Sequence, residues 1–300
     1  MHSLGEQMGL KQYLQQQQKL IDAALGRYLP RASTRPKTLH EAMRYSLFAG
    51  GKRLRPILTL AAAEACGGAA EDALPAACAV ECIHTYSLVH DDLPCMDDDD
   101  LRRGRPTSHK VYGEGIAVLA GDALLTVAFE ILAQPEPTGR YPGTALIREL
   151  AAAAGSRWLI AGQVLDLEGE GRKVTAAELK FIHRAKTAAL LTASLRLGGM
   201  SVNCTERQLD ALTELGQAIG LAFQIIDDIL DVTQTTEKLG KTAGKDAAVT
   251  KATYPAIFGL EKSRKEAHRL TDRAHQVLDV FGAKGVRLRG LADYLLQREY

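Results

Sequence analysis

The sequence predicts an all-α fold, a single large bundle of about ten or more helices. Three observations predict it. Alanine and leucine abound, while aromatic residues make up only 5% of the 300 residues, a mix that favours helices over strands. Apolar residues recur at helical spacing along nearly the whole chain, and no stretch alternates polar and apolar long enough to argue for a sheet. Glycine and proline, the expected punctuation, fall at Leu29-Pro30, Gly50-Gly51, Gly67-Gly68, Gln134–Pro137, Gly169–Lys173, Gly198-Gly199 and Gly240–Gly244. Between these breaks the spacing predicts helices over 6–28, 38–49, 55–66, 71–93, 116–133, 143–168, 176–197, 206–233, 252–281 and 284–298. Thr175, with Glu178 three residues on, reads as a capping box opening one of them. No shift in composition marks a boundary, so residues 1–300 are expected to form one domain.

The net charge of +1 gives no footing for nucleic acid or an anionic membrane. The five cysteines, Cys66, Cys78, Cys82, Cys95 and Cys204, are odd in number and contain no Cys-x-x-Cys pair, which suits a reduced, cytoplasmic compartment. Cys78, Cys82 and His84 have zinc-ligand chemistry, but two small apolar residues one turn apart are ordinary packing. The longest run without a charged residue is twelve, Leu215 to Ile226, against about twenty for a membrane span. The chain is expected to be soluble, with no stable membrane insertion.

Two aspartate-rich segments stand at the ends of strongly apolar helical sequence. In the second, Gln224, Asp227, Asp228 and Asp231 follow the spacing i, i+3, i+4, i+7, one face of a helix. The result is a narrow polar stripe on a mostly apolar cylinder, expected inside the bundle and facing a polar cavity. Asp227 and Asp231 stack four residues apart, and their repulsion calls for a cation. In the first, His84 and Asp91 share a face, whereas Asp91 and Asp97 would lie on different sides of a straight helix. Pro94 between them cannot continue the hydrogen bonding, so the helix is expected to end and let Asp97 curl back towards Asp91. Clustered hard cations held by carboxylates usually hold phosphates in turn, and Arg102, Arg103 and Arg105 follow at once with guanidinium forks suited to phosphate oxygens.

Gly50-Gly51-Lys52-Arg53-Leu54-Arg55-Pro56 joins two helices and places Lys52 and Arg55 on one side, with Pro56 suited to a first helical turn. It reads as an anion-binding corner and lacks the nucleotide P-loop pattern. Further polar groups interrupt apolar sequence: Gln163 with Asp166, the Lys186-Thr187 pair, and Lys241, Lys245 and Lys251 in a glycine-containing loop.

The run from His90 to Gly104, the Gly-Gly-Lys-Arg-Leu-Arg-Pro corner and Gln224–Asp231 together resemble the trans-isoprenyl diphosphate synthases, in family order and spacing from about residue 40 to the C-terminus. The resemblance implies a helical isoprenoid synthase fold around a deep cavity, usually as a homodimer. It implies about three Mg²⁺ ions, with Mn²⁺ as a substitute, between the aspartate segments and the diphosphate of dimethylallyl or geranyl diphosphate. Asp91 and Asp97 would ligate the first pair and Asp227 the third, with Asp231, Asp92, Asp228 and Asp166 acting closely behind or through water. Arg102, Lys186, Lys241 and Lys251 would face the leaving diphosphate. Thr187, Gln224 and carbonyls near Lys186 would face the allylic carbocation. Isopentenyl diphosphate would be held by Lys52, Arg55, His84 and Arg103.

By the same resemblance, a bulky group at Tyr86, five residues before Asp91, limits the product and with the aspartate spacer points to farnesyl diphosphate. Geranylgeranyl or geranyl diphosphate is the alternative product. A class I terpene cyclase would carry a different second motif and lack the glycine-lysine corner. A non-catalytic partner subunit would usually lose one aspartate motif.

Overall fold

The computed structural model describes residues 4–134, 139–233 and 252–296. Lys241, Lys245, Lys251 and the ending Gln297–Tyr300 lie outside the described residues. Helices α1 (Leu4–Tyr28), α2 (Lys37–Leu47), α3 (Leu54–Ala65) and α4 (Leu74–Asp91) are followed by a two-stranded hairpin, β1 (Leu101–Arg102) and β2 (Arg105–Pro106). Helices α5 (Ser108–Tyr112), α6 (Glu114–Ala133), α7 (Gly143–Ala154), α8 (Leu159–Gly169) and α9 (Ala176–Ile182) come next. A π-helical segment, His183–Ala188, then joins α9 to α10 (Ala189–Ser201), and α11 (Glu206–Thr233), α12 (Tyr254–Phe258), α13 (Leu260–Leu278) and α14 (Val286–Leu296) complete the described chain.

The core follows from the apolar spacing. Ile57, Leu60, Ile83, Leu124, Leu195, Ile225 and Ile229, from α3, α4, α6, α10 and α11, are fully buried in one continuous cluster. Each such side chain removed from water contributes roughly 1.5–3 kcal/mol. The capping box is present: Thr175 N–H donates to Glu178 Oε2 at 2.8 Å, and Glu178 N–H to Thr175 Oγ1 at 3.3 Å.

The structure departs from the sequence reading in several places. The helix expected over 143–168 breaks between α7 and α8, where Gly155 leaves helical geometry with ψ −172°. That expected over 252–281 breaks at Gly259, with φ +83°. Gly198 and Gly199 do not end a helix; they lie inside α10, and a Cβ on Gly198 would strike the Thr59 carbonyl of α3. They are sites of close helix packing. Two local elements, α5 and the hairpin, were not foreseen. The hairpin turns on Arg103-Gly104, with φ +53° and +74°, as a tight two-residue turn requires. Tyr45 of α2 donates to the Pro106 carbonyl at 2.8 Å and pins it.

Helix α6 is long and apolar enough, by length and composition alone, to cross a membrane. Only 44% of that window is buried within the fold, so one flank packs on α4 and the other faces out. The outer flank carries Val118 and Leu119, exposed, with Leu125 and Phe129 partly so.

Candidate active site

Helix α4 ends at Asp91 because the chain turns at Leu93–Asp98. Met96 N–H and Asp98 N–H both return to the Leu93 carbonyl, at 2.9 and 3.1 Å, and Asp97 N–H donates to the Asp91 carbonyl at 2.8 Å. Pro94 therefore makes the expected hook, and Asp97 comes back beside Asp91. Burial pushes the Asp91 carboxyl up to about 6; Lys186 pulls against this and Asp97 adds to it. The Gln163 amide of α8 donates to Asp91 Oδ1. Asp92 takes another course: Arg102 Nε donates to it at 2.7 Å, which holds the start of the hairpin against α4.

From Asp91 a chain of contacts runs to the second aspartate helix. Gln163 shares α8 with Asp166, and Lys186 Nζ donates to Asp166 Oδ2 at 2.7 Å. Lys186 stands in the π segment beside Thr187, whose hydroxyl donates to Gln224 Oε1 of α11 at 2.8 Å. Asp227 lies one turn beyond Gln224. A π segment widens one turn of helix and frees carbonyls from their usual partners, a feature frequent at functional sites. Gly162 permits the close approach of α8, since a Cβ there would collide with the Lys186 backbone. Asp231 is buried at the end of the same stripe, while Asp228 is committed to the fold: it accepts from Tyr254 N–H at 2.7 Å and lies 3.5 Å from His183.

The basic corner forms a second cluster. Arg55 lies 3.3 Å from His84 Nε2, and its Nε is buried without a hydrogen-bond partner. Burial, opposed by Glu81 and reinforced by Arg103, lowers the Arg55 guanidinium from its ordinary value. Burial, with Arg55 and Arg103 behind it, holds His84 well below the ordinary imidazole range. Arg103 donates to the Gly50 carbonyl. Gly51 has φ +120°, and a Cβ there would collide with the Arg103 guanidinium, so glycine is required. Lys52 is exposed, 5.4 Å above the Tyr294 ring. Crowded cations of this kind, with Arg55 in no salt bridge among the described residues, have the chemistry to take a multivalent anion.

The donor chemistry fits Mg²⁺. The acidic groups are hard oxygen ligands, and no three acidic, His or Cys side chains among the described residues stand ready to chelate an ion alone. Mg²⁺ suits such an open site because it keeps waters and takes phosphate oxygens. Tyr86 lies on α4 below Asp91, 6% exposed, with its ring 5.7 Å from that of His90. His90 rests on α6, 3.0 Å from the Val118 carbonyl, where Gly121 makes room for it. The structure thus brings together Asp91, Asp97, Gln163, Asp166, Lys186, Thr187 and Gln224, and separately Arg55, His84 and Arg103. Arg53 and Glu81, packed under that second group, were not singled out in sequence.

The helical bundle thus carries aspartate segments on two helices, a cationic corner and a π-widened turn beside them. The family description "Polyprenyl synthetase" matches residues 36–279, and the chain belongs to that family. Its chemistry is prenyl chain elongation. The chain is 45% identical to a geranylgeranyl diphosphate synthase of Cyanophora paradoxa, covering 99% of each. It is 50% identical to the large subunit 1 of a heterodimeric chloroplastic geranylgeranyl pyrophosphate synthase of Arabidopsis thaliana, covering 96% of this chain and 79% of that protein. Among solved structures it resembles an FPP/GFPP synthase from Zymomonas mobilis, with TM-score 0.86 and 39% identity over 96% of this chain and 99% of that one. The neighbour's likeness bears out the isoprenoid synthase fold.

Proposed function

We propose that this chain condenses isopentenyl diphosphate with dimethylallyl or geranyl diphosphate, and that Tyr86 ends growth at farnesyl diphosphate. Asp91, Asp97, Asp227 and Asp231 would hold Mg²⁺ against the allylic diphosphate. When bound, Mg²⁺ supplies Lewis-acid stabilisation of the leaving group. Lys186 and Arg102 add positive charge there, aided by Lys241 and Lys251. The allylic C–O bond breaks and its electron pair leaves with diphosphate. Thr187 and Gln224 turn oxygen dipoles towards the carbocation. The terminal alkene carbon of isopentenyl diphosphate, held by Lys52, Arg55, His84 and Arg103, forms the new C–C bond. The resulting tertiary cation loses a proton to the departed diphosphate, so no protein base is needed.

The observation that carries the product assignment is the buried Tyr86 ring little more than one turn below Asp91. A second reading, geranylgeranyl diphosphate, is favoured by the curated relatives, at least seven of which carry that activity in their names at 45–52% identity. By relatedness alone the longer product has the better support. Incubation with both substrates and Mg²⁺, followed by chromatography, separates the two readings, and chelation of the metal should abolish diphosphate release. Release of a cyclic hydrocarbon, or no release at all, would overturn condensation.

The outer face of α6, with Val118, Leu119, Leu125 and Phe129, is the surface that suits the proposed homodimer; sedimentation of Leu119→Glu as a monomer would support this assignment. The whole chain is read as one synthase domain acting in the cytoplasm.

A further inference from the structure

Arg53 belongs to the same basic run as Lys52 and Arg55, yet its side chain turns into the protein and is 3% exposed. Nε donates to Asp22 of α1 at 2.9 Å, one terminal nitrogen to Glu81 of α4 at 2.8 Å, and the other to the Leu47 carbonyl at the end of α2 at 2.7 Å. One guanidinium thus ties α1, α2 and α4 together where α3 begins. Its own backbone, the N-cap of α3, has φ +51°, an unusual conformation for a residue with a side chain.

This pair sits directly beneath the cationic corner. Arg53 is two residues from Arg55, and Glu81 is one helical turn from His84. Fixing Arg53 to Glu81 sets the spacing between the start of α3 and the middle of α4, and therefore the 3.3 Å approach of Arg55 to His84. Glu81 is 2% exposed and its charge reaches both Arg55 and Arg103. Engaged by Arg53, its carboxylate is kept from swinging onto Arg55, where it would compete with a bound diphosphate.

We propose that Arg53 and Glu81 are positioning residues for isopentenyl diphosphate: their buried ion pair spaces Arg55 from His84 and keeps an internal carboxylate out of the cradle. The proposal rests on reading Lys52, Arg55, His84 and Arg103 as that cradle. Lysine at 53 keeps the charge but not the three-way fork. In steady-state kinetics with each substrate varied in turn, Arg53→Lys should raise KM for isopentenyl diphosphate about tenfold and leave kcat and the allylic KM within about twofold. Arg53→Met/Glu81→Met removes both charges together and strands neither, so it tests the same point should the lysine variant fail to fold. It too should raise KM for isopentenyl diphosphate selectively. A wild-type KM in the double variant, or an equal rise for both substrates, would overturn the positioning role. Arg55→Gln is the control: no rise in KM for isopentenyl diphosphate there would overturn the cradle itself, whereas a rise there with unchanged pair variants overturns only this proposal.

Discussion

Tyr86→Ala tests the product-length reasoning most directly. The ring is 6% exposed and wedged against His90, with centroids 5.7 Å apart, and His90 is seated on α6. Aromatic-to-alanine changes at such sites cost about 3–5 kcal/mol when the void stays empty. In a chain of this size that lowers the melting temperature by on the order of 10 °C. The space released corresponds to about one helical turn, roughly 5.4 Å, the reach of one further isoprene unit. Burying five more carbons contributes about 4 kcal/mol at roughly 0.8 kcal/mol per carbon, which matches the loss. The variant should therefore make a product at least one unit longer than the wild type, and added longer product should restore much of its thermal stability. Tyr86→Phe keeps the ring and should keep the wild-type product. Chromatography of the chain lengths and melting curves with and without product are the assays. A folded Tyr86→Ala variant with the wild-type product profile would refute the argument.

Lys186→Met removes the cation that links α8 to the π segment, and kcat should fall about 10²–10³-fold, measured as diphosphate released. Asp228→Ala strands the Tyr254 N–H, so denaturant melts should show a loss of about 1–3 kcal/mol, whereas Asp227→Ala, which removes a proposed Mg²⁺ ligand, should reduce activity far more than stability. His84 is held well below its ordinary range by burial and its arginine neighbours, so the unfolded chain takes up this proton more readily than the folded one. Stability from this group is present above the unfolded value of about 6.5 and declines as pH falls below it. His84→Gln should flatten that part of the stability profile, followed by melts across the range.

The aspartate segments were legible because charge within apolar helical sequence is costly and therefore conspicuous. Pro94 predicted the hook at Asp97, whereas the 2.8 Å contact between Thr187 and Gln224, which joins two distant helices, had no signal in the sequence. Arg53 was illegible for the opposite reason: within a basic run nothing local distinguishes a guanidinium bound for the core from one bound for a substrate. Its destination depends on Asp22 and Glu81, contributed by other helices. The Leu101–Pro106 hairpin is too short for alternation to show. The glycines at 198 and 199 were misread because close packing and chain breaking use the same residue. Asp228 showed its place on the stripe but not its partner, since the Tyr254 N–H arrives from a helix start beyond the second aspartate segment.

The π segment at His183–Ala188 also acts as a reading-frame device. A π turn is a regular helix carrying one surplus residue, so everything after it is rotated by about 100° relative to an uninterrupted helix. The apolar face of α10, with Leu191 and Leu195 in the core, is phased to that offset. Deleting a single residue here would straighten the turn and swing the whole downstream face out of register, while a distant compensating insertion would restore the packing without restoring Lys186 and Thr187. The placement of Lys186 and Thr187 and the phasing of the core are thus indexed to one surplus amino acid.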